Sequence, residues 1–584
     1  MAKAEASVKE LVDMIHRGEL RLPEMQRRYV WQSTRVRDLL DSLYRGYPSG
    51  AILVWETDEP IQQQPFAVPQ APSPYQGQRL LLDGQQRLTS LAAVLRGEPV
   101  TVRGRKKPIE LLFNLEHPER VGVVTEVAGD TEAEGDETEG EEPEDEEAED
   151  EERQEDEVDS SEQDLQSRLN RMTFVVATRQ MENLPNWVKV SEVFQTTSDT
   201  AFLKRAGVTD LEDPRVEKYG KRLADLRSVQ NYVYRMDILE RTLTYDEVTE
   251  IFVRVNSLGA KLRGSDLALA QITARWPGSL KTFQTFQETC ARNGFDLDLG
   301  LHLRNLVAFA TGQSRFHAVS TLARVDLEKA WEDCVHGMEF AMNFLKSNAG
   351  IDSPALMSSP YLLITLGVYG HKRHYKLSAE EELLLRQWSR LANVKGRYSR
   401  GSSETFLDQD MATVHQGSGG AELLDRLRQQ VGRLEITPED LVGRNQQSAL
   451  FKTMFLAFRD AGAKDWSSNL KIALAHKGAH HRLQFHHLFP KAVLKGRVPP
   501  REVDDIANLA FVGGKTNRQI SNKPPSQYLA ALLEKSGSGN FQAQCIPTEA
   551  ELLEIERYSD FLAERRVLIS QRLNEFLGTS RSPG

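Results

Sequence analysis

The chain has 584 residues, 40% hydrophobic and 27% charged, enough apolar material for real cores and enough length for roughly three to four domains of about 150 residues each. No run approaches the ~18–20 apolar residues of a membrane-spanning helix, no apolar export signal opens the chain, and the scattered Cys290, Cys334 and Cys545 argue against a disulfide framework or a cysteine zinc site, so a cytoplasmic protein without a membrane partner is expected. The net charge of −12 is concentrated in residues 126–164, which hold 23 Asp/Glu and one basic residue, Arg153, and leave 72 basic against 62 acidic residues elsewhere.

In chain order, "MAKAEASVKELVDMIHRGEL" (1–20) reads as an amphipathic helix. "LPEMQRRYVWQ" (22–32) sets Gln26, Arg27 and Arg28 beside Tyr29 and Trp31. The aromatics read as core packing behind a phosphate loop, the other option being a sensor for modified DNA. "STRVRDLLDSLYRG" (33–46) is a helix with Ser33 as its N-cap, and "GAILVWE" (50–56) is a strand. "LLLDGQQRLTSL" (80–91) ends a strand on an Asp-Gly turn and places two amides and a guanidinium at the start of a helix, an arrangement suited to an anion.

"IELLFNL" (109–115) and "MTFVVA" (172–177) are strands on either side of the acidic run, which therefore interrupts an α/β region and does not border it. A like-charge block this dense cannot bury apolar surface and is expected to be a disordered, solvated insertion, or a tethered polyanion competing with DNA for a basic groove. "NWVKVSEVF" (186–194) resumes the α/β pattern, and "EIFVRVNSLGAKLRG" (250–264) carries Phe252, Arg254 and Asn256 ahead of a Gly turn. From about 276 to 435 the pattern is mainly helical, broken at "HQGSGG" (415–420), and the last ~150 residues hold a helix (447–461), a His-rich basic stretch and a closing helix (548–576).

The strongest chemical signal is "LQFHHLFPKAVLKG" (483–496) followed by "IANLAFVGGKTNRQISNKPP" (506–525). A short strand ends in His486-His487, a second apolar run begins at Asn508 and turns through Gly513-Gly514, and a helix-like segment carries Asn517. Residues 471–530 contain ten Lys/Arg against three Asp/Glu, the charge a polyanion requires. The P-loop-like "GGKT" (513–516) lacks the first glycine, since Leu509 stands there, and is not a nucleotide site.

The strand–strand–helix order with its His and Asn residues resembles the HNH, or ββα-metal, nuclease site, and "HLFP…NL…N…SNKP" resembles the nuclease half of GmrSD-type, modification-dependent restriction endonucleases. The resemblance implies His487 as general base, His486 and Asn517 as ligands of one Mg²⁺ or Mn²⁺, and Asn508 as a residue that orients the base or braces the loop between the strands. The segments at 22–32, 80–91 and 250–272 resemble the N-terminal half of the same proteins, which implies a ParB/sulfiredoxin-like α/β fold that binds and hydrolyses a nucleoside triphosphate. Gln26, Arg27, Asp83, Gly84, Gln85, Gln86, Arg87, Arg254 and Asn256 would form that pocket, with Arg87 on the phosphates and Asp83 holding Mg²⁺ or orienting water.

The expected fold is α+β and multidomain: residues 1–275 a ParB-like NTP-binding domain with the insertion at 126–164, residues 276–435 a helical connection, residues 436–584 an HNH nuclease domain. The expected function is a nucleotide-regulated, metal-dependent endonuclease of anti-phage defence acting on foreign or modified DNA, with a homodimer as one way to cut both strands. The alternatives are a nucleotide-switched DNA-binding protein with a degenerate nuclease fold and an HNH RNase or toxin.

Overall fold

A computed structural model describes residues 2–29, 31–72, 78–98, 109–118, 171–210, 212–258, 263–474 and 483–579. The acidic run at 126–164 lies outside the described residues, as do Val30, His480 and His481. The fold is an α+β mixture in two compact units, which divide after Thr282. Among the described residues no helix is long and apolar enough to cross a membrane.

The first unit is built on a six-stranded mixed sheet made of β1 (Ala2–Ser7), β2 (Leu20–Pro23), β3 (Ile52–Thr57), β4 (Gln63–Gln64), β5 (Gln78–Asp83) and β9 (Val233–Leu239), in the order β1-β9-β3-β5-β2-β4. Side-chain alternation along β3 and β5 divides their residues between two cores. Ile52, Val54 and Leu81 face one core with α1 (Val8–His16), α2 (Ser33–Tyr44) and α3 (Gln85–Arg96). Leu53, Trp55, Leu80 and Leu82 face the other, covered by Val248 and Phe252 of α4 (Tyr245–Leu258) and Ala270 of α5 (Gly264–Arg275). A separate three-stranded antiparallel sheet sets β6 (Leu111–Asn114) between β7 (Phe174–Val176) and β8 (Trp187–Lys189).

Two local expectations are corrected. The opening segment is not one helix: residues 2–7 form the edge strand β1, antiparallel to β9, and the helix starts at Val8. Ser7 accepts from the Glu10 amide and Glu10 accepts from the Ser7 amide, a reciprocal cap that fixes where strand gives way to helix. At α2 the N-cap is Gln32, and Ser33 is the buried first helical residue.

The second unit contains α6 (Leu299–Thr311), α7 (Arg324–Phe344), α8 (Tyr361–Lys372), α9 (Ala379–Lys395), α10 (Ala449–Asp460), α11 (Gly514–Ile520), α12 (Pro525–Ser536) and α13 (Tyr558–Leu577), with a two-stranded antiparallel sheet of β10 (Leu483–His487) and β11 (Leu509–Gly513). Among its helices a fully buried fork joins Arg397 to Asp410 through N–O contacts of 2.7 and 2.9 Å, and Tyr398 donates to the same carboxylate at 2.7 Å.

The hairpin that presents the two histidines is held from several sides. Phe451 and Phe455 of α10 pack on Phe511 at ring distances of 5.0 and 5.2 Å. Arg565 of α13, fully buried, donates to the Ala507, Gln544 and Cys545 carbonyls at 2.7, 3.2 and 3.2 Å. Gln544, also fully buried, takes the Phe511 amide on its Oε1 at 2.8 Å and gives its Nε2 proton to the Phe511 carbonyl at 2.9 Å.

Candidate functional sites

At the end of β5 the chain turns through Gly84 into α3. Gly84 has φ +100°, and a Cβ there would stand 2.4 Å from Ile52 Cδ1, so only glycine makes this turn against β3 without a shift. Like every helix N-terminus, α3 begins with amides that have no intrahelical acceptor, and Gln85, Gln86 and Arg87 occupy that turn.

Their side chains interlock with the loop after β2. Buried Gln26 donates to the Leu82 and Leu81 carbonyls at 2.5 and 3.2 Å, and Gln85 donates to the Arg27 carbonyl at 2.9 Å. Gln86 donates to the Arg28 carbonyl at 3.3 Å and accepts from the Trp31 amide at 3.3 Å. Arg27 pairs with Asp266 of α5 at 3.0 Å. Tyr29 is buried and shares a hydrogen bond of 2.8 Å with Ser90, which makes it core.

Arg87 points back under the turn. Its guanidinium donates to the Ser49 carbonyl, to the Ala51 carbonyl at 2.7 Å and to Asp83 Oδ2 at 3.0 Å. Gly50 makes this possible, since a Cβ at its φ of +92° would stand 2.4 Å from Arg87 Nη1. Arg87 is thus engaged by backbone and by Asp83, whose side chain is 41% exposed. Arg254 lies on the exposed face of α4, paired with Glu250 one turn earlier, while Phe252 is buried. The Asn256 side chain lies outside the described residues.

The second site is on the hairpin. His486 and His487, consecutive on β10, lead to different partners. His486 is 4% exposed, with Nδ1 2.9 Å from Asn517 Oδ1 of α11 and Nε2 3.2 Å from the Tyr528 hydroxyl of α12. The Trp466 and Tyr528 rings stand edge-on to it at 5.8 and 5.5 Å. Burial pushes the His486 imidazole down to about 4, against the Asn517 amide oxygen, which favours a protonated ring, so it is neutral near pH 7. Asn517 donates its Nδ2 proton to Gln484 Oε1 at 3.0 Å.

His487 Nε2 lies 3.0 Å from Asp504 Oδ1, and Nδ1 has no hydrogen-bond partner among the described residues. Lys491 reaches the same Asp504 oxygen at 3.0 Å. The hydrogen bond from His487, opposed by burial and aided by Lys491, holds the Asp504 carboxyl down at about 2. Asn508 is fully buried and is not in contact with either imidazole through a hydrogen bond. Its amide accepts from the Phe489 N–H at 2.9 Å and donates to the Phe489 and Val503 carbonyls at 3.1 and 2.9 Å, bracing the chain between the strands.

Asp465 fixes the start of α11, accepting from the Gly513 amide at 2.7 Å, Thr516 Oγ1 at 2.8 Å and Ser468 Oγ at 2.7 Å. Burial works to raise its pKa, but the donors from Ser468, Gly513 and Thr516 together bring it below the usual carboxylate range.

The His486–Asn517 separation is that of a hydrogen bond and is also compatible with two neighbouring ligands of a hard divalent cation. Two ligands bonded at about 2.1 Å and adjacent on an octahedron stand about 3.0 Å apart, and His486 Nδ1 and Asn517 Oδ1 are 2.9 Å apart. Among the described residues no three His, Cys, Asp or Glu side chains converge on a metal position, so the remaining ligands would be water and phosphate oxygens. Asp504, Tyr528 and Gln484 were not singled out by the sequence. Asp504 carried one weak signal, its place in a short acidic cluster with Glu502 and Asp505 inside the most basic stretch.

Residues 8–273 match the family model for the GmrSD restriction endonuclease, N-terminal domain. The matched span runs from the start of α1 into α5 and includes the whole 26–28 and 83–87 constellation. It supports a relation to the GmrSD-type restriction endonucleases, and the hairpin site lies outside it. Over 557 residues the chain is 21% identical to uncharacterized protein MJ0686 of Methanocaldococcus jannaschii, covering 90% of this chain and 86% of that protein.

Proposed function

We propose that this chain is a restriction endonuclease of phage defence that cuts DNA at the β10–β11–α11 site, with a nucleoside triphosphate bound at the β5–α3 turn. The match of the N-terminal residues to a restriction endonuclease domain supports DNA as substrate. The observation that carries the hydrolytic reading is the pairing of His487 with Asp504 beside the His486–Asn517 couple.

With its Nε2 proton directed at Asp504, His487 keeps a lone pair on Nδ1, the nitrogen that can take a proton from water. Asp504 stays ionised and stabilises the imidazolium formed when His487 accepts that proton. Lys491, beside Asp504, adds positive charge next to the base, where a phosphodiester would lie. His486 Nδ1 and Asn517 Oδ1 would hold Mg²⁺ or Mn²⁺, which when bound supplies charge stabilisation at the phosphate and the leaving oxygen. Asn508 acts indirectly, keeping Phe489 and Val503 in register so that Asp504 reaches His487.

In the first unit the α3 amides and the turn at Gly84 would receive the phosphates, with Asp83 exposed at the rim. No Walker lysine is present in this segment, so charge stabilisation would fall to Arg87 and to the amides of Gln85 and Gln86.

Plasmid cleavage tests the reading: wild type and His487→Ala, in Mg²⁺ or Mn²⁺, with and without an NTP mixture, on plain and modified DNA. Cleavage by wild type that His487→Ala abolishes and nucleotide alters is the expected result. DNA binding without cleavage on any substrate would leave a nucleotide-switched binding protein, and preferential RNA cleavage would make it an RNase.

A further inference from the structure

A neutral imidazole carries one ring proton, and the surroundings of His486 decide where it sits. Tyr528 donates its single hydroxyl proton to the Leu488 carbonyl at 3.0 Å. The same hydroxyl oxygen lies 3.2 Å from His486 Nε2, so with that proton spent it can only accept from Nε2–H. This tautomer satisfies Nε2, the hydroxyl and the buried carbonyl together.

It leaves Nδ1 unprotonated, with its lone pair on the side of Asn517 Oδ1, 2.9 Å away. Gln484 Oε1 accepts from Asn517 Nδ2 at 3.0 Å, which turns the amide oxygen, not its nitrogen, toward the imidazole. Two acceptors then face each other at less than 3 Å. A proton on Nδ1 would relieve this, but would force Nε2 and the Leu488 carbonyl to compete for one hydroxyl proton. A cation shared by Nδ1 and Oδ1 relieves it and leaves the protons of Nε2, Tyr528 and Asn517 where they are.

We propose that Tyr528 and Gln484 are positioning residues for a divalent cation, Tyr528 by fixing the ring proton of His486 on Nε2 and Gln484 by turning Asn517 Oδ1 toward Nδ1. This rests on the metal-dependent nuclease reading and adds to it the residues that create the ligand pair. Outer partners of this kind change metal affinity by about 10- to 100-fold when removed.

The test is Mn²⁺ titration of the full chain without DNA, by calorimetry and by electron spin echo detection of imidazole nitrogen on Mn²⁺, with folding checked in EDTA. His486→Ala identifies the site. Tyr528→Phe, which keeps the ring and loses only the hydroxyl, is expected to weaken Mn²⁺ binding 10- to 100-fold, and Gln484→Ala to weaken it in the same direction. Gln484→Glu is expected to bind Mn²⁺ at least as tightly as wild type, because a carboxylate can only accept and so holds the Asn517 amide in the required sense. Tyr528→Phe within twofold of wild type, or Gln484→Glu as weak as Gln484→Ala, overturns the proposal while leaving the nuclease reading in place. Mn²⁺ binding by wild type that His486→Ala does not change overturns both.

Discussion

His487 and Asp504, seventeen positions apart, meet at 3.0 Å between Nε2 and Oδ1, and Lys491 closes on the same carboxylate oxygen at 3.0 Å. The carboxylate therefore serves both side chains at once, and the hydrogen bond from His487, helped by Lys491, holds its pKa down at about 2. The sign is that of a depressed acid: its contribution is complete above the ordinary carboxyl range and is lost only as pH falls toward 2.

Asp504→Asn keeps the shape and removes the charge that stabilises a protonated His487. A general base is worth about 10²–10⁴ in rate, and loss of its orienting carboxylate is expected to lower kcat at least tenfold while KM for DNA stays within about twofold. Steady-state cleavage of a defined substrate reads both. A matched rise in KM would make Asp504 a DNA contact instead.

His486 predicts a pH dependence of stability in the metal-free chain. Its folded value of about 4 lies below the ordinary 6.5, so the unfolded chain takes up the proton first. Stability is full above pH 6.5 and falls as pH drops toward 4, by about 3 kcal/mol over that interval. Urea unfolding in EDTA at pH 7 and pH 4.5 measures it for wild type and His486→Gln. The glutamine variant should lose that part of the slope.

Gly84→Ala forces a side chain into a φ of +100° and against Ile52 Cδ1. The expected cost is about 1–3 kcal/mol, read as a lower melting temperature, together with weaker binding of any triphosphate because the start of α3 shifts. Unchanged melting would show that the turn relaxes without strain.

Arg87→Ala strips the Ser49 and Ala51 carbonyls of their donor and leaves Asp83 without its cation. Destabilisation of about 2–4 kcal/mol is expected from the lost charged hydrogen bonds, visible in thermal unfolding without nucleotide. If melting is unchanged and only nucleotide affinity falls, Arg87 is a phosphate ligand before it is a structural anchor.

What the sequence discloses and what it hides separate along physical lines. The strand–turn–helix at 80–91 was legible because its apolar run, its Asp-Gly turn and its helical period are all local, and the β10, β11 and α11 segments were legible for the same reason. The edge strand β1 was hidden: its partner β9 is more than 220 residues away, and the local pattern of 1–20 favours helix. Asp504 was hidden because the long connection between β10 and β11 folds back on itself, and Tyr528 because it stands on α12, beyond both strands; nothing in sequence spacing says that positions 17 and 42 residues later return to the histidines. The engagement of Arg87 was invisible for another reason, since two of its three partners are backbone carbonyls, which every residue possesses.

Gln544 bears on how the protein behaves in company. A two-stranded sheet ordinarily offers two open edges, each a template on which another chain can lay a strand. On β11 the Gln544 amide occupies the place a neighbouring peptide group would take, accepting from Phe511 N–H and donating to its carbonyl. One side chain thus stops the ladder where it stands. The histidine hairpin is thereby kept from being lengthened by another protein strand along that edge.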